Sequence, residues 1–394
     1  MAEVQTEIEI EIPSYFLCPI TLDIMRDPVT VSTGITYDRD SIEKWLFTQQ
    51  NTTCPATKQH LHTLDLTPNI TLRRLIQSWC TLHAVQRLPT PKPPLTRPHL
   101  LRLLSSAAQS QSLQSLKSAA AESHTNRRIM AAAGAPEFLA SLIATSSPAA
   151  EDALSILCAL QLPESSLKPL STPNFIESLT LILQIGSYES RSYAINLLRS
   201  ITEIADPSLL TALKPQFFTE ISQFLKSDDI TRKERKLALK TLTSVCVWGR
   251  NRVKAVEAGV VVAAIDLMLE TSEKRMCEML MAVVEVLCQC AEGRAELVGH
   301  AAGLAVVSKK ILRVSGAASE KGVRILQAVS RHSATAAVVA EMMQSGVVGK
   351  LCLVVQVDCG VKIKERAMEI LKAHARAWRN SPCLPYHFIS SYPS

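Results

Sequence analysis

The stretch Ala238-Leu-Lys-Thr-Leu242 is one of seven segments whose shared pattern decides the fold. Each segment has a mostly small residue one helical turn before a leucine. The leucines, spaced 41, 41, 44, 45, 39 and 45 residues apart, are Leu116, Leu157, Leu198, Leu242, Leu287, Leu326 and Leu371. Because a small residue lets its helix approach a neighbour while the leucine fills the space between them, we expect all seven leucines to be buried.

A helix-breaking residue lies between successive leucines. The six breakers are Gly134, Pro173, Pro215, Gly259, Gly303 and Gly346. Glycine ends a helix and proline starts one, so each breaker predicts a turn between two short helices. A period of about 42 residues with two or three helices is typical of armadillo and HEAT solenoids, and residues 100–378 resemble about six or seven armadillo repeats.

The composition excludes several classes of protein. The 394 residues are 47% hydrophobic and 20% charged, which argues against disorder. A net charge of +6 is small for a nucleic-acid binder, and an odd count of eleven cysteines suits a reducing compartment. The acidic start of the chain and the short longest apolar run, residues 258–269, predict neither a signal peptide nor a transmembrane segment.

Prolines divide the chain into two unlike parts. Five of them stand between residues 89 and 98, which predicts an extended spacer over residues 89–99. The spacer would separate an N-terminal domain, residues 12–88, from the helical repeats, residues 100–378, and a flexible tail would occupy residues 379–394. Residues 1–88 carry seven Lys and Arg against ten Asp and Glu, so the excess positive charge lies in the repeats.

The N-terminal domain contains Cys18-Pro-Ile-Thr21 and Cys54-Pro-Ala-Thr57. A cross-braced zinc domain would need a second cysteine where each threonine stands, because threonine does not bind a soft metal. We therefore predict no metal, although a site built from Cys18, Cys54, His60 and His62, without recognised spacing, stays open.

Without metal, polar side chains and two helices must hold the loops. Asp38 is placed to cap a helix over about residues 39–47, and a second helix follows Asn69. The residues predicted to form buried stripes are Ile42, Trp45 and Leu46 on the first helix and Leu72, Leu75, Ile76 and Trp79 on the second. We expect Asp38, Glu43 and Asn69 to bond loop backbone where a metal would act, with a solvated Glu43 as the alternative.

These motifs resemble those of a known protein family. Residues 12–82 resemble a U-box, the zinc-free relative of the RING domain, and the whole chain resembles plant U-box proteins with armadillo repeats. The matching stretches are Cys18-Pro-Ile, Met25-Arg-Asp-Pro-Val, Gly34-Ile-Thr-Tyr-Asp-Arg39, Trp45-Leu46, Cys54-Pro-Ala-Thr and Leu66-Thr-Pro-Asn69. The implied fold is mostly α, a small α+β U-box followed by an α-solenoid, with no cofactor.

The resemblance implies an E3 ubiquitin ligase that binds a ubiquitin-charged E2 enzyme and forms no covalent intermediate. By resemblance, Ile20 and Leu22 in a first loop and Pro55 in a second loop receive the E2, and Trp45 borders this groove. Lys58 stands where many such ligases have an arginine, and lysine supplies charge without a bidentate fork. We therefore predict a working but less activating ligase.

The armadillo repeats are expected to bind the protein substrate. The middle residues of the seven segments form a polar ladder, of which Asn196, Lys240 and Arg324 are the candidates for substrate contact, although a merely solvated face also explains them. The resemblance also implies a cytosolic protein of plant stress, hormone or immune signalling, with the nucleus, peripheral membrane association and homo-oligomers left open.

Three other functions compete with this interpretation. An adaptor with an inactive U-box would use the repeats alone. A ligase that carries ubiquitin on its own thiol is disfavoured, because Cys246, Cys288 and Cys352 lie in apolar helical runs typical of a core. An importin-like carrier is disfavoured because only Trp248 and Asn196 resemble its repeated groove residues.

Overall fold

The computed structural model describes residues 12–83, 96–106, 110–145 and 149–379. The chain divides into two compact units: the first runs to Ala135 and includes residues 159–161, and the second comprises residues 136–158 and the chain from Leu162 onward. Residues 84–95 of the predicted spacer and residues 380–394 of the predicted tail lie outside the described residues.

The first unit begins with a small antiparallel sheet in the order β2-β1-β3. Its strands are β1 Pro28–Thr30, β2 Thr36–Asp38 and β3 Thr67–Pro68. In register, Val29 of β1 faces Tyr37 of β2 on one side and Pro68 of β3 on the other. Val29 and Tyr37 are buried, so the sheet covers one side of the N-terminal core.

Two helices complete this core, in places differently from the prediction. Helix α1 Arg39–Glu43 continues as a π-helical turn, Lys44–Thr48, where a regular helix to about residue 47 was expected, and α2 spans Ile70–Leu82. Ile42 and Leu46 are buried as predicted. On α2 the predicted stripe is wrong at Leu75, which is 52% exposed; Cys80, one turn beyond Ile76, takes the buried position instead.

The remaining helices follow the predicted repeat. They are α3 Arg97–Ser105, α4 Ser110–Glu122, α5 His124–Ala132, α6 Ala135–Ala144, α7 Ala150–Ala159, α8 Glu164–Leu167, α9 Pro173–Ile185, α10 Tyr188–Ile204, α11 Pro207–Thr211, α12 Pro215–Lys226, α13 Arg232–Val245, α14 Gly249–Glu257, α15 Val260–Glu270, α16 Lys274–Leu287, α17 Ala291–Gly299, α18 Gly303–Lys310, α19 Gly316–His332, α20 Ala336–Gln344, α21 Val347–Gln356 and α22 Val361–Ala373. Helix α3 begins inside the predicted spacer, because a proline such as Pro98 is tolerated in a first turn.

From α5 onward the helices come in threes, and the third helix of each triplet carries a leucine of the repeat. The third helices are α7, α10, α13, α16, α19 and α22; α4 carries the first leucine. All seven leucines are at most 1% exposed, which confirms the predicted core. Within the second unit α10 packs against α13, α13 against α16, α16 against α19 and α19 against α22.

The predicted breakers lie between helices or at their starts. Gly134, Gly259 and Gly346 have φ values of 82°, 75° and 76°, a left-handed conformation that favours glycine. Pro173 and Pro215 are the first residues of α9 and α12, where a missing amide proton costs nothing. The chain therefore turns at the expected points of each repeat.

Gly322 shows why the residue four positions before each repeat leucine is mostly small. A Cβ added there would lie 2.6 Å from Ile311 Cγ1 and 3.0 Å from Met281 Cε. We expect Gly322→Ala to lower the free energy of unfolding by about 1–2 kcal/mol through overpacking. Gly316→Ala, on the same helix, meets no heavy atom within 4 Å and should not destabilise. Chemical denaturation compares the two variants, and equal stabilities would contradict close packing at Gly322.

No single helix among the described residues is both long and apolar enough to cross a membrane. Helices α20 and α21 together have sufficient length and composition, but the chain bends by 67° at the break between them.

Candidate functional site

The two loops that begin at Cys18 and Cys54 have the same backbone conformation. In the first loop, residues 17–24, the amide of Cys18 donates to the carbonyl of Asp23 and the amide of Leu22 donates to Cys18, both at 2.8 Å. In the second loop, residues 53–60, Cys54 donates to Gln59 at 2.8 Å and Lys58 donates to Cys54 at 2.9 Å.

The turn in each loop needs an unusual residue conformation. Leu22 and Lys58, each four residues after its cysteine, have φ values of 63° and 60°. Left-handed backbone is costly for residues with a Cβ and persists only where the surroundings fix it. Neither position is a glycine, so a left-handed conformation could not be predicted there from the residue type.

Adjacent residues of β2 hold both loops. The amide of Asp38 donates to the Cys18 sulfur at 3.3 Å, and the Tyr37 hydroxyl lies 3.0 Å from the Cys54 sulfur. The Tyr37 oxygen also accepts a hydrogen bond from the amide of Ala56 at 3.0 Å. One strand end therefore fixes two loops that are distant in sequence, as a shared metal would.

The Cys54 sulfur is a buried acceptor. Burial alone would raise the pKa of its thiol, but hydrogen bonds from Thr33, Thr57 and Tyr37 outweigh burial and lower the pKa to about 6. Among the residues that the structure describes, no group of three or more His, Cys, Asp and Glu side chains could hold a metal ion. Both sulfurs take part in hydrogen bonds, Cys18 with the amide of Asp38 and Cys54 with Thr33 and Tyr37.

The Asp38 carboxylate binds the backbone between the first loop and β1 instead of capping α1. Asp38 stands at the predicted N-cap position, but its side chain makes no cap hydrogen bond. Its Oδ1 accepts from the amides of Arg26 and Asp27 at 2.8 and 3.0 Å, which is the predicted contact with loop backbone. The N-cap prediction is therefore wrong for the side chain, because the amides of Arg26 and Asp27 occupy its oxygen.

Asn69 contributes differently from the prediction. Its side-chain Oδ1 accepts a hydrogen bond from the backbone amide of Leu72 at 3.0 Å and so caps α2. Its backbone amide donates to the Pro28 carbonyl at 2.8 Å. Asp27 joins the helices to the sheet: Arg39 of α1 donates to it at 2.6 Å, and Arg73 of α2 lies 3.6 Å from it. These contacts join α1 and α2 to the sheet, and we call the sheet with these two helices the support.

The predicted contact residues lie on this support. Leu22 is 72% exposed and Ile20 36% exposed, both large for apolar side chains in the first loop. Pro55 is half-buried and Lys58 exposed in the second loop. Trp45 is half-buried; its indole Nε1 donates to the Thr53 carbonyl at 2.7 Å, and the Lys58 ammonium lies 5.6 Å from the ring centroid.

Glu43 contacts neither loop, which corrects its predicted role. Its carboxylate is buried and accepts from the backbone amide of His124 at 2.9 Å and from the Thr125 hydroxyl at 2.6 Å. Both partners begin helix α5, whose positive N-terminal end favours a carboxylate. A solvated Glu43 is also excluded, because the residue is 3% exposed.

Aromatic and cationic groups extend the contact at Glu43. The Phe47 ring stacks on the His124 ring with centroids 4.8 Å apart, and the Arg128 guanidinium lies 4.7 Å from the Phe47 centroid. Burial and the charge of Arg127 lower the pKa of His124, so the stacked imidazole is neutral at pH 7. We call Glu43, Phe47, His124, Thr125 and Arg128 the docking contact.

Comparisons with known proteins agree with this architecture. The family model described as U-box domain matches residues 12–84, and the one described as plant U-box protein ARM repeat region matches residues 98–394. The chain belongs to the plant U-box proteins with armadillo repeats. The N-terminal support with its two loops is thus the U-box, and the helix triplets are armadillo repeats.

Two curated relatives match along nearly the whole U-box and armadillo chain. E3 ubiquitin-protein ligase PUB23 of Arabidopsis thaliana is 53% identical and covers 98% of this chain and 98% of its own length. E3 ubiquitin-protein ligase PUB22 of the same plant is 47% identical and covers 98% and 99%. A crystal structure of an engineered protein superposes with a TM-score of 0.54 at 17% identity, covers 72% of this chain and 70% of its own, and supports the fold alone.

The polar ladder lies on the third helices of the armadillo repeats. Asn196 on α10 and Lys240 on α13 are exposed, so substrate contact at these two residues stays a prediction. Arg324 on α19 is already ion-paired with Glu285 of α16 at 2.9 Å, one repeat earlier. Ser155, at 8% exposure, belongs to the core rather than to the ladder.

The cysteines and Trp248 bear on the competing functions. Cys246, Cys288 and Cys352 are buried as predicted, and burial raises the pKa of Cys246 and Cys288 to about 12. Such thiols are poor nucleophiles, which disfavours a ubiquitin thioester on this chain. Trp248 lies before α14, outside the third helices, and does not share a groove position with Asn196.

Proposed function

We propose that this protein is an E3 ubiquitin ligase whose U-box binds a ubiquitin-charged E2 and whose armadillo repeats bind the substrate. The observation that carries the proposal is the pair of matching loops fixed on β2, which expose Ile20 and Leu22 on a rigid support. The Arabidopsis relatives of nearly the same length are named E3 ubiquitin-protein ligases and support the same activity.

The mechanism follows from positioning. Ile20, Leu22 and Pro55 offer apolar surface to the loops of the E2, and Trp45 keeps the second loop in place through its bond to Thr53. The E2 thioester is then held near a lysine of the bound substrate. The rate of ubiquitin transfer rises because the two groups have a high effective concentration and the correct orientation. No residue of this chain carries ubiquitin as a covalent intermediate of the transfer.

A reconstituted reaction tests the proposal. The full chain is mixed with E1, a broad panel of E2 enzymes, ubiquitin and ATP, and ubiquitin chains or self-modified ligase are followed by gel electrophoresis. We expect product with at least one E2. If no E2 of the panel gives product, the alternative function would be favoured, an adaptor whose repeats act without the U-box.

Lys58→Arg is expected to speed ubiquitin discharge from the E2 by about threefold to tenfold, because a guanidinium can bond two acceptors at once. Lysine and arginine both carry a Cβ, so the conformational energy of the left-handed backbone at position 58 (φ 60°) should not change and the loop should keep its shape. Single-turnover discharge to free lysine measures the rate. Lys44→Arg, at an exposed position of the same domain, is the control; equal rates for both variants and the unmodified chain would reject the role of Lys58.

The setting of the reaction is also proposed. We place it in the cytosol, within plant stress, hormone or immune signalling, in keeping with the family. The cysteines among the described residues form no disulfide, which supports a reducing compartment. The Ile20→Ala chain should retain substrates without modifying them, so affinity capture with it from plant extract would identify the pathway. Sedimentation would measure homo-oligomerisation.

A further inference from the structure

A polar cavity of about 470 Å³ opens beside the third helices of the last repeats, α16, α19 and α22. The ionisable residues that line it are Glu285, Arg294, Arg324, Arg331, His332 and Arg366. Four guanidinium groups and one carboxylate are among the lining residues, and two further acids, Glu320 and Glu369, pair with these arginines, so one positive charge remains in excess. This local excess of positive charge favours an anionic occupant.

Two of the arginines are held rigid by acids of neighbouring helical turns and repeats. Arg324 donates to Glu285 Oε1 at 2.9 Å and also bonds Glu320. Arg331 donates through Nε and Nη2 to the two carboxylate oxygens of Glu369, at 2.7 and 2.8 Å. These pairs orient the guanidinium planes before a ligand arrives, which reduces the entropy lost on binding.

Other donors of the cavity form no hydrogen bond with an acidic side chain. Arg294, 9% exposed, donates to the Ser333 hydroxyl at 3.1 Å and to the Cys288 carbonyl at 3.0 Å, and makes no ion pair with a described residue. Arg324 Nε and Arg366 Nη1 are buried and have no hydrogen-bond acceptor within the described parts of the chain. Arg366 Nη1 lies 3.7 Å from Glu320, beyond hydrogen-bond distance. Buried cationic donors of this kind are stabilised by an incoming anion.

We propose that this cavity binds a carboxylate side chain of an acidic peptide segment in the substrate. The proposal rests on the proposed function in that the occupant is a substrate of the ligase. Glu285, Glu320 and Glu369 alternate with the arginines and would repel a continuous phosphate backbone. An extended peptide can place single carboxylates between them, so the charge pattern selects an acidic peptide over a nucleic acid.

Fluorescence anisotropy on the full chain tests the site with a labelled peptide of alternating glutamate and glycine. Arg366→Gln removes one charge from the cavity. Arg275→Gln removes one from an exposed residue of α16 that pairs with Glu278 of its own helix and does not line the cavity. We expect Arg366→Gln to weaken binding about tenfold, as for one lost charge-assisted hydrogen bond, and Arg275→Gln to change it less than about twofold.

The controls separate the possible results. A peptide of alternating glutamine and glycine should bind more weakly than the glutamate peptide, and Arg366→Lys, which keeps the charge, should retain more binding than Arg366→Gln. Equal affinities for the two peptides, or equal weakening by Arg366→Gln and Arg275→Gln, would overturn the proposal. The assay contains no E2 or ubiquitin, so a failure of peptide binding is distinguishable from a failure of ligase activity.

Discussion

Ile20→Ala should slow ubiquitin discharge from the E2 at least about 30-fold, the loss of a central contact worth about 2 kcal/mol. Ile20 lies in the first loop with 36% of its surface exposed, and it is not among the residues of the N-terminal hydrophobic core. The loop itself is held by backbone bonds at Cys18, Leu22 and Asp23, so truncation of the side chain should spare the fold. Single-turnover discharge to free lysine measures the loss.

The control for Ile20 is Leu82→Ala, a truncation at an 81% exposed position of α2. It should leave discharge unchanged, and both variants should unfold at the same temperature as the unmodified chain. Normal ubiquitin discharge with the Ile20→Ala variant would contradict the proposal that the first loop binds the E2. Trp45→Ala is a poorer probe, because loss of its bond to Thr53 would loosen the second loop whether or not the ring touches the E2.

Glu43→Ala is expected to release the docking contact. The substitution leaves the His124 amide and the Thr125 hydroxyl without their acceptor in a buried setting, at a cost of about 3 kcal/mol. The first amides of α5 should then exchange with deuterium about 100-fold faster, as that free energy implies. Hydrogen exchange followed by mass spectrometry on the full chain measures this change.

A double-mutant cycle assigns the effect to the contact itself. Glu43→Gln and Thr125→Val should show a coupling free energy of about 1–2 kcal/mol. Thr81→Val, whose hydroxyl bonds only within its own helix, should show none with Glu43→Gln. Discharge to free lysine should stay normal in all these variants, since the two loops are held independently of Glu43. Additive effects at Glu43 and Thr125 would mean that the docking contact contributes nothing in solution.

Much of this architecture could be predicted from the sequence, because its signals are local or periodic. The period of the leucines predicted their burial in every repeat, and the two Cys-Pro-x-Thr motifs marked the loops. Glu43 was misplaced because its partners, His124 and Thr125, lie across the proline-rich spacer, where no periodic pattern connects the two segments. The pairing of Arg324 with Glu285 was missed since residues one repeat apart become neighbours only once the helices stack.

The attachment of both loops to neighbouring residues of β2 has a consequence for local opening. Tyr37 and Asp38 cannot separate from the sheet singly, so a fluctuation of this strand end frees the first and second loops together. The amides of Leu22 and Lys58 should accordingly show similar protection factors in hydrogen exchange, although they are distant in the chain. The proposed E2-binding surface would thus form as one unit, with both loops present or both absent.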